Sequence, residues 1–315
     1  MKKVVLQLRE FIKEDFDLWT YLWAFIFISA AIAINYSLKF ETQILAKHSD
    51  KSITIMRFFL YYGLAWFAVA IPKLWINRRL HLFSSIEFWV KIVLFLLLIS
   101  TTSGFRFDPN WFIFIEDPIS KLYFVKLSTQ IKCLLLYTIP FILMHRMYDR
   151  THQGIYGFNS NFGNGKVYLQ MLLIIAPLVI VASFTPDFLK AYPRYRVWYF
   201  EELQLLPSWL STSVFEALYV VDFAMTEWMF RGALVIGMIT LLGKDAILPM
   251  VSVYVFLHFG KPLGETISAF FGGYILGVLA YTTRHIWGGV LLHAGIALIM
   301  EAMGLFQYYV MGMHR

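Results

Sequence analysis

Thr226-Glu227-Trp228-Met229-Phe230-Arg231-Gly232 lies inside an apolar run covering residues 211–242. A carboxylate and a guanidinium one helical turn apart are an expensive pair in a run long enough to cross a bilayer. A charge near the bilayer centre costs roughly 2.5–3.5 kcal/mol on insertion scales and ordinarily faces a protein interior or a water-filled cavity. The stretch therefore predicts a membrane-embedded helix that turns a polar site inward. Two further apolar segments carry one histidine each, His258 and His293, so that both imidazoles also fall in expected hydrocarbon.

Outward from this stretch the whole chain is apolar. Of 315 residues 59% are hydrophobic and 15% charged, with 30 Phe, 18 Tyr and 10 Trp, more apolar surface than a soluble domain covers. Runs near 20 residues, the length an α-helix needs to cross a bilayer core, fall at 18–38, 53–74, 86–102, 122–144, 167–184, 211–242, 246–258, 266–283 and 286–311. The expected fold is all-α, a polytopic integral membrane helix bundle with eight or nine transmembrane helices. Arg57, Glu87 and Lys91 sit near the ends of the second and third runs, where long side chains snorkel to the interface. The sixth run exceeds one crossing and is expected to tilt, to extend beyond the membrane or to break near Gly237.

Residues 1–17, with Lys2, Lys3, Arg9 and Lys13 among apolar positions, read as a basic amphipathic segment on an anionic membrane surface. A cleavable signal peptide is not expected, because the apolar run that follows is long and no small-residue cleavage pattern closes it. Residues 18–200 supply N-terminal transmembrane helices and an interfacial connection. That connection, 185–210, mixes Pro186, Pro193 and Pro207 with Arg194, Arg196, Tyr192, Tyr195, Trp198, Tyr199 and Phe200, a composition suited to the headgroup region. Residues 201–312 carry the chemistry.

The net charge is +7, but its basic residues are dispersed through short loops beside apolar runs. Anionic lipid headgroups account for them, and no nucleic-acid partner is expected. Cys133 is the only cysteine, which excludes an intrachain disulfide and a thiolate metal cluster; it reads as a small apolar residue packed in the fourth run.

The i,i+4 spacing puts Glu227 and Arg231 on one helix face, where they can pair; alone, that is also the pattern of an ion pair that fixes helix packing. His258 opens His258-Phe259-Gly260-Lys261-Pro262, in which Gly260 and Pro262 end the helix. His293 is flanked by Gly288, Gly289, Ala294 and Gly295, small residues that permit close helix contact. Taken together, one carboxylate and two imidazoles on three helices can activate a water and stabilise a developing charge. The same set has the makeup of a two-histidine, one-carboxylate metal site, which spacing does not exclude; no metal and no cofactor is assigned. A proton relay in a transporter is the other class open to intramembrane Glu and His, although no inverted repeat accompanies them. Gly273 and Gly277, with Gly272 beside them, predict tight helix packing around the site.

These residues resemble the CPBP, or Abi, family of membrane proteins, which includes the CAAX prenyl endopeptidases. The family carries Glu-Glu-x-x-x-Arg, Phe-x-x-x-His and His-x-x-x-Asn on successive helices. The chain offers Thr226-Glu227-x-x-x-Arg231, Tyr254-x-x-x-His258 and His293-x-x-x-Ala297, in the same order. The resemblance implies an intramembrane endopeptidase acting on a membrane-associated peptide or protein, with the lipid bilayer as its other partner and the cell membrane, of bacterial inner-membrane type, as its location. It makes Glu227 and His258 the water-activating groups, Arg231 the orienting partner of Glu227, and His293 the oxyanion stabiliser. Two positions depart from the family: Thr226 replaces the glutamate usually credited as base, and Ala297, whose side chain donates no hydrogen bond, replaces a polar residue thought to help form the oxyanion hole. Glu265, Glu301 and the Tyr254 hydroxyl are the candidates to compensate. The competing expectation is a catalytically inactive membrane binding or scaffold protein. Oligomeric state is left open.

Overall fold

The computed structural model describes residues 2–46, 50–150, 154–203 and 205–313. Twelve α-helices occur among them: α1 Lys2–Asp15, α2 Leu18–Leu38, α3 Lys51–Ile76, α4 Ile86–Gly104, α5 Pro118–Tyr148, α6 Gly165–Ala182, α7 Pro186–Ala191, α8 Ser208–Glu227, α9 Ile239–Leu242, α10 Ile247–Leu257, α11 Leu263–Thr283 and α12 Trp287–Tyr309. Polar residues start several of them by accepting from backbone N–H groups that the first turn leaves unpaired. Asp17 accepts from Thr20 at 2.9 Å before α2, Asp50 from Ser52 at 2.7 Å before α3, and Ser85 from Phe88 at 3.3 Å before α4.

Among the described residues eight helical segments are long and apolar enough to cross a membrane: α2 to α6, the stretch from α8 to α10, α11 and α12. The chain is a multi-pass integral membrane protein of the all-α class. The expected sixth and seventh runs form a single stretch, Ser208–Leu257. Its regular helix stops at Glu227, continues as a π-helical turn over Trp228–Ala233 and a 3-10 turn over Ile236–Met238, and resumes in α9 and α10. The break expected near Gly237 is therefore present, and broader than one residue.

The chain divides into two compact units. The first comprises Met1–Phe105, Tyr137–Asn164 and Glu227–Gly289; the second comprises Arg106–Leu136, Gly165–Thr226 and Val290–Arg315. In the first, α1 turns Val4 and Phe11 inward and leaves Lys2, Arg9 and Lys13 exposed, with Phe11 edge-on to Tyr274 and Tyr281 of α11. The side chain of Lys3 lies outside the described residues. Gly273 and Gly277 let α11 approach α10: an added Cβ would stand 3.0 Å from the Tyr254 ring and 2.7 Å from Met250. Gly272 faces open space and takes no part in that contact.

Lys91 corrects the snorkelling expectation. It is fully buried, and its ammonium meets Glu87 at 2.7 Å, Asp149 at 2.8 Å and the Gly237 carbonyl at 3.0 Å. Three partners match its three N–H donors, which is how a buried cation remains tolerable in place of reaching for the interface. Arg57, in contrast, is exposed and donates to the Ile44 carbonyl.

In the second unit Tyr123, Tyr195, Phe200, Leu203, Phe215, Tyr219 and Ala297 form a buried cluster. The interfacial connection folds as α7 and a short 3-10 turn, Val197–Tyr199, and Trp198 stacks on Tyr308 with ring centroids 3.6 Å apart. Cys133 is a buried free cysteine.

His285, in the turn between α11 and α12, is buried against Gly163. Burial holds its pKa below the ordinary histidine value of 6.5, since desolvation disfavours the cation. The unfolded chain then binds a proton near 6.5 that the folded chain refuses, so stability falls as pH drops below about 6.5 toward the folded pKa. Thermal unfolding followed from about pH 7 to pH 5 is expected to show that loss in the wild type and a shallower one in His285→Gln.

Candidate active site

Glu227 is the last residue of α8 and Arg231 sits in the π-helical turn that follows. Both are buried, at 0% and 1% exposure. Arg231 Nη1 lies 2.9 Å from Glu227 Oε1, an ionic contact that lacks the alignment of a full hydrogen bond. The guanidinium also lies over the Tyr254 ring, 4.2 Å from its centroid, a cation–π contact that gains strength when desolvated.

The π turn has local causes. Trp228 Nε1 donates to the Ile155 carbonyl at 2.8 Å, and Gly232 leaves room for the Tyr156 backbone, whose carbonyl would stand 2.6 Å from an added Cβ. Tyr156 in turn donates to Asp149 at 2.9 Å, the carboxylate that pairs with Lys91. Lys91, Asp149 and Tyr156 thus secure the segment that carries Arg231. Single-turn π insertions recur at functional sites because they re-aim side chains, and here the turn lies between Glu227 and the resumption of helix at α9.

On α10, Tyr254 contacts both Arg231 and His258. One side of its environment is Arg231; the other is the His258 ring, 4.5 Å away between centroids. His258 caps α10 and is 8% exposed. Its Nδ1 is 2.7 Å from the Tyr254 carbonyl, which can only accept, so Nδ1 is the donor in that contact. The turn after it is held from two helices. Thr266 donates to the His258 carbonyl at 2.6 Å, Tyr36 contacts the Lys261 carbonyl and the Thr266 hydroxyl at 2.6 Å each, and Asn35 donates to the Phe259 carbonyl at 3.0 Å.

Gly289 abuts the carboxylate. A Cβ there would lie 2.9 Å from Glu227 Cδ and nearer still to Oε2. Gly289→Ala therefore has to push aside a carboxylate whose other oxygen Arg231 holds, while its helix propensity rises by about 1 kcal/mol. For a peptidase site the expected result is a rate reduced about tenfold or more with a melting temperature close to wild type, checked by assaying rate and thermal unfolding on one preparation.

His293 belongs to the second unit, on α12, with its ring 4.4 Å from that of Phe223. Ala297, one turn on, is buried in the aromatic cluster. Glu301, one of the candidates to compensate for it, is committed elsewhere: its oxygens accept from the backbone of Arg194 at 2.7 and 2.8 Å and from Tyr195 at 3.2 Å, holding the interfacial connection. Glu265 pairs with Lys261 at 3.3 Å. Among the described residues no group of three His, Cys, Asp or Glu side chains is arranged to hold a metal.

Residues 202–299 match the Rce1-like family, described as type II CAAX prenyl endopeptidase Rce1-like. This Rce1-like segment covers the C-terminal third and contains Glu227, Arg231, His258, His293 and Ala297. The match relates residues 202–299 to a family of CAAX prenyl endopeptidases. Against the curated proteins and against the solved structures the chain has no match.

Lys91, Asp149, Tyr156, Asn35 and Tyr36 surround the Rce1-like segment from outside it, and sequence reasoning missed them. Lys91 and Asp149 are 58 positions apart, Asn35 and Phe259 224 apart. No spacing rule links such pairs. A lysine and an aspartate in or beside apolar runs were the only available signal.

Proposed function

We propose that the protein is an intramembrane endopeptidase that hydrolyses a peptide bond of a membrane-associated peptide or protein. Glu227 and His258 activate a water, one of them taking its proton as the oxygen attacks the carbonyl carbon. The tetrahedral intermediate then collapses, the C–N bond breaks, and that proton passes to the leaving amine. His293 stabilises the oxyanion, a role that rests on the order of the three motifs. Arg231 keeps Glu227 oriented through the 2.9 Å contact between its Nη1 and Glu227 Oε1.

The observation that carries this reading is the fully buried Glu227–Arg231 pair inside the Rce1-like segment, with the Tyr254 ring in contact with both the Arg231 guanidinium and the His258 ring. A pair that only held helices together would be replaceable by apolar side chains with little loss. The cell membrane is the proposed location, and the substrate reaches the site from the bilayer.

One observation favours the second reading, a catalytically inactive membrane binding or scaffold protein. Ala297 is packed among aromatic side chains, and the nearby Tyr123 and Tyr195 hydroxyls are bonded to Ser211. Purified protein offered a panel of membrane-anchored and prenylated peptides, with and without chelator, separates the two. Cleavage lost in Glu227→Ala, His258→Ala and His293→Ala supports the peptidase; a wild type as inert as its variants, on peptides that an active relative cuts, supports the scaffold. Chelator sensitivity reports on a metal.

A further inference from the structure

The N-terminal helix α2 lies outside the Rce1-like segment, yet it reaches the turn that carries His258. Asn35 is buried and uses both ends of its amide: Nδ2 donates to the Phe259 carbonyl at 3.0 Å, and Oδ1 accepts from the Glu41 backbone at 2.9 Å. Tyr36, the next residue, places its hydroxyl 2.6 Å from the Lys261 carbonyl and 2.6 Å from Thr266 Oγ1. Thr266, fully buried in the first turn of α11, is in turn 2.6 Å from the His258 carbonyl.

Two hydroxyl protons serve those three short contacts. With Tyr36 donating to Thr266 and Thr266 to the His258 carbonyl, the protons run as a chain from α2 to the backbone of His258. With the opposite sense, Thr266 donates to Tyr36 and Tyr36 to Lys261. Either sense ties the residues after His258 to α2. The imidazole is fixed separately through Nδ1 and the Tyr254 carbonyl, so His258 is held at its ring within α10 and at its carbonyl by Thr266 of α11, which Tyr36 of α2 contacts in turn. A helix C-cap that leads into Gly260 and Pro262 has few restraints of its own, because glycine broadens the accessible backbone and the residues past the cap make no helical bonds.

We infer that Tyr36 and Thr266 are positioning residues for His258, and that α2 contributes to the site by fixing the backbone from which the His258 imidazole projects. This rests on the proposed role of His258 in catalysis. Neither residue touches the reacting atoms. Their effect is on alignment, where a displacement of about 1 Å costs up to about 10²-fold in rate.

The test compares Tyr36→Phe, Thr266→Val and Thr266→Ser in full-length protein, reading kcat, KM, thermal unfolding and the side-chain nitrogen resonances of His258 in ¹⁵N-histidine-labelled samples. Tyr36→Phe and Thr266→Val are expected to lower kcat about tenfold with KM little changed, to be less than additive when combined, and to shift the His258 side-chain nitrogen resonances. Thr266→Ser, which keeps the hydroxyl, is expected to restore both. Wild-type kcat and unshifted resonances in Tyr36→Phe and Thr266→Val overturn the inference. If Thr266→Val fails to fold, Tyr36→Phe carries the test alone, since that change removes one oxygen from a half-buried side chain. If the wild type cleaves no peptide, the resonances still decide: a shift in the variants upholds the positioning role while the peptidase reading fails, and no shift rejects the positioning role as well.

Discussion

Glu227→Gln is expected to lower cleavage by roughly 10²–10⁴-fold, the usual contribution of a positioned acid–base group, in protein that still folds. Glutamine keeps the shape of the side chain but cannot take a proton from water. It also leaves Arg231, 1% exposed, without its counter-charge, and breaking a buried pair on one side costs about 3–5 kcal/mol. Activity and stability therefore fall together in the single variant. They separate in the double variant Glu227→Gln/Arg231→Met, in which no uncompensated charge is left behind. Stability should return most of the way there, while cleavage stays lost. Measuring rate per folded molecule alongside thermal unfolding distinguishes this outcome from a purely structural pair, for which the double variant would recover both.

Lys91→Met carries the largest expected effect on stability. The substitution takes from the fully buried Asp149 the ammonium 2.8 Å away and removes the bond from Lys91 to the Gly237 carbonyl. A loss of about 3–5 kcal/mol follows from removing one partner of a buried pair. Adding Asp149→Asn should recover a large part of it, because the amide is neutral and still accepts from the Tyr156 hydroxyl, 2.9 Å away in the wild type. The damage is expected to spread to the Trp228–Gly237 segment, so residual activity of Lys91→Met should be below that of a peripheral variant of equal stability. Chemical unfolding of the single and double variants measures the coupling; a loss under about 1 kcal/mol for Lys91→Met, as for exposed pairs, would contradict it.

The membrane helices were legible because a bilayer demands long apolar runs, and α10 ends at Leu257, just ahead of the Gly260 and Pro262 that mark its end in the sequence. The π turn at Trp228–Ala233 was not legible. Its sequence is a good helix pattern, and the change of pitch depends on Tyr156 and Ile155, which approach from a segment more than 70 positions earlier. Lys91 was misread for a similar reason: its position near the end of a run fits snorkelling, and only the fold reveals Asp149 and Gly237 beside it. Glu227, Arg231 and His258 stood out from charge in hydrocarbon alone. The preference of Glu301 for the backbone of Arg194 and Tyr195 did not, since backbone donors leave no mark in the sequence.

The most direct measurement is cleavage of a membrane-anchored peptide in heavy-oxygen water by protein reconstituted in lipid, with mass spectrometry of both fragments. Hydrolysis by an activated water predicts that the wild type leaves one heavy oxygen in the new carboxylate, and that Glu227→Gln and His258→Ala yield neither fragment above background. Equal labelled cleavage by wild type and both variants, or an uncut peptide that an active relative cuts in the same lipid, would contradict the account.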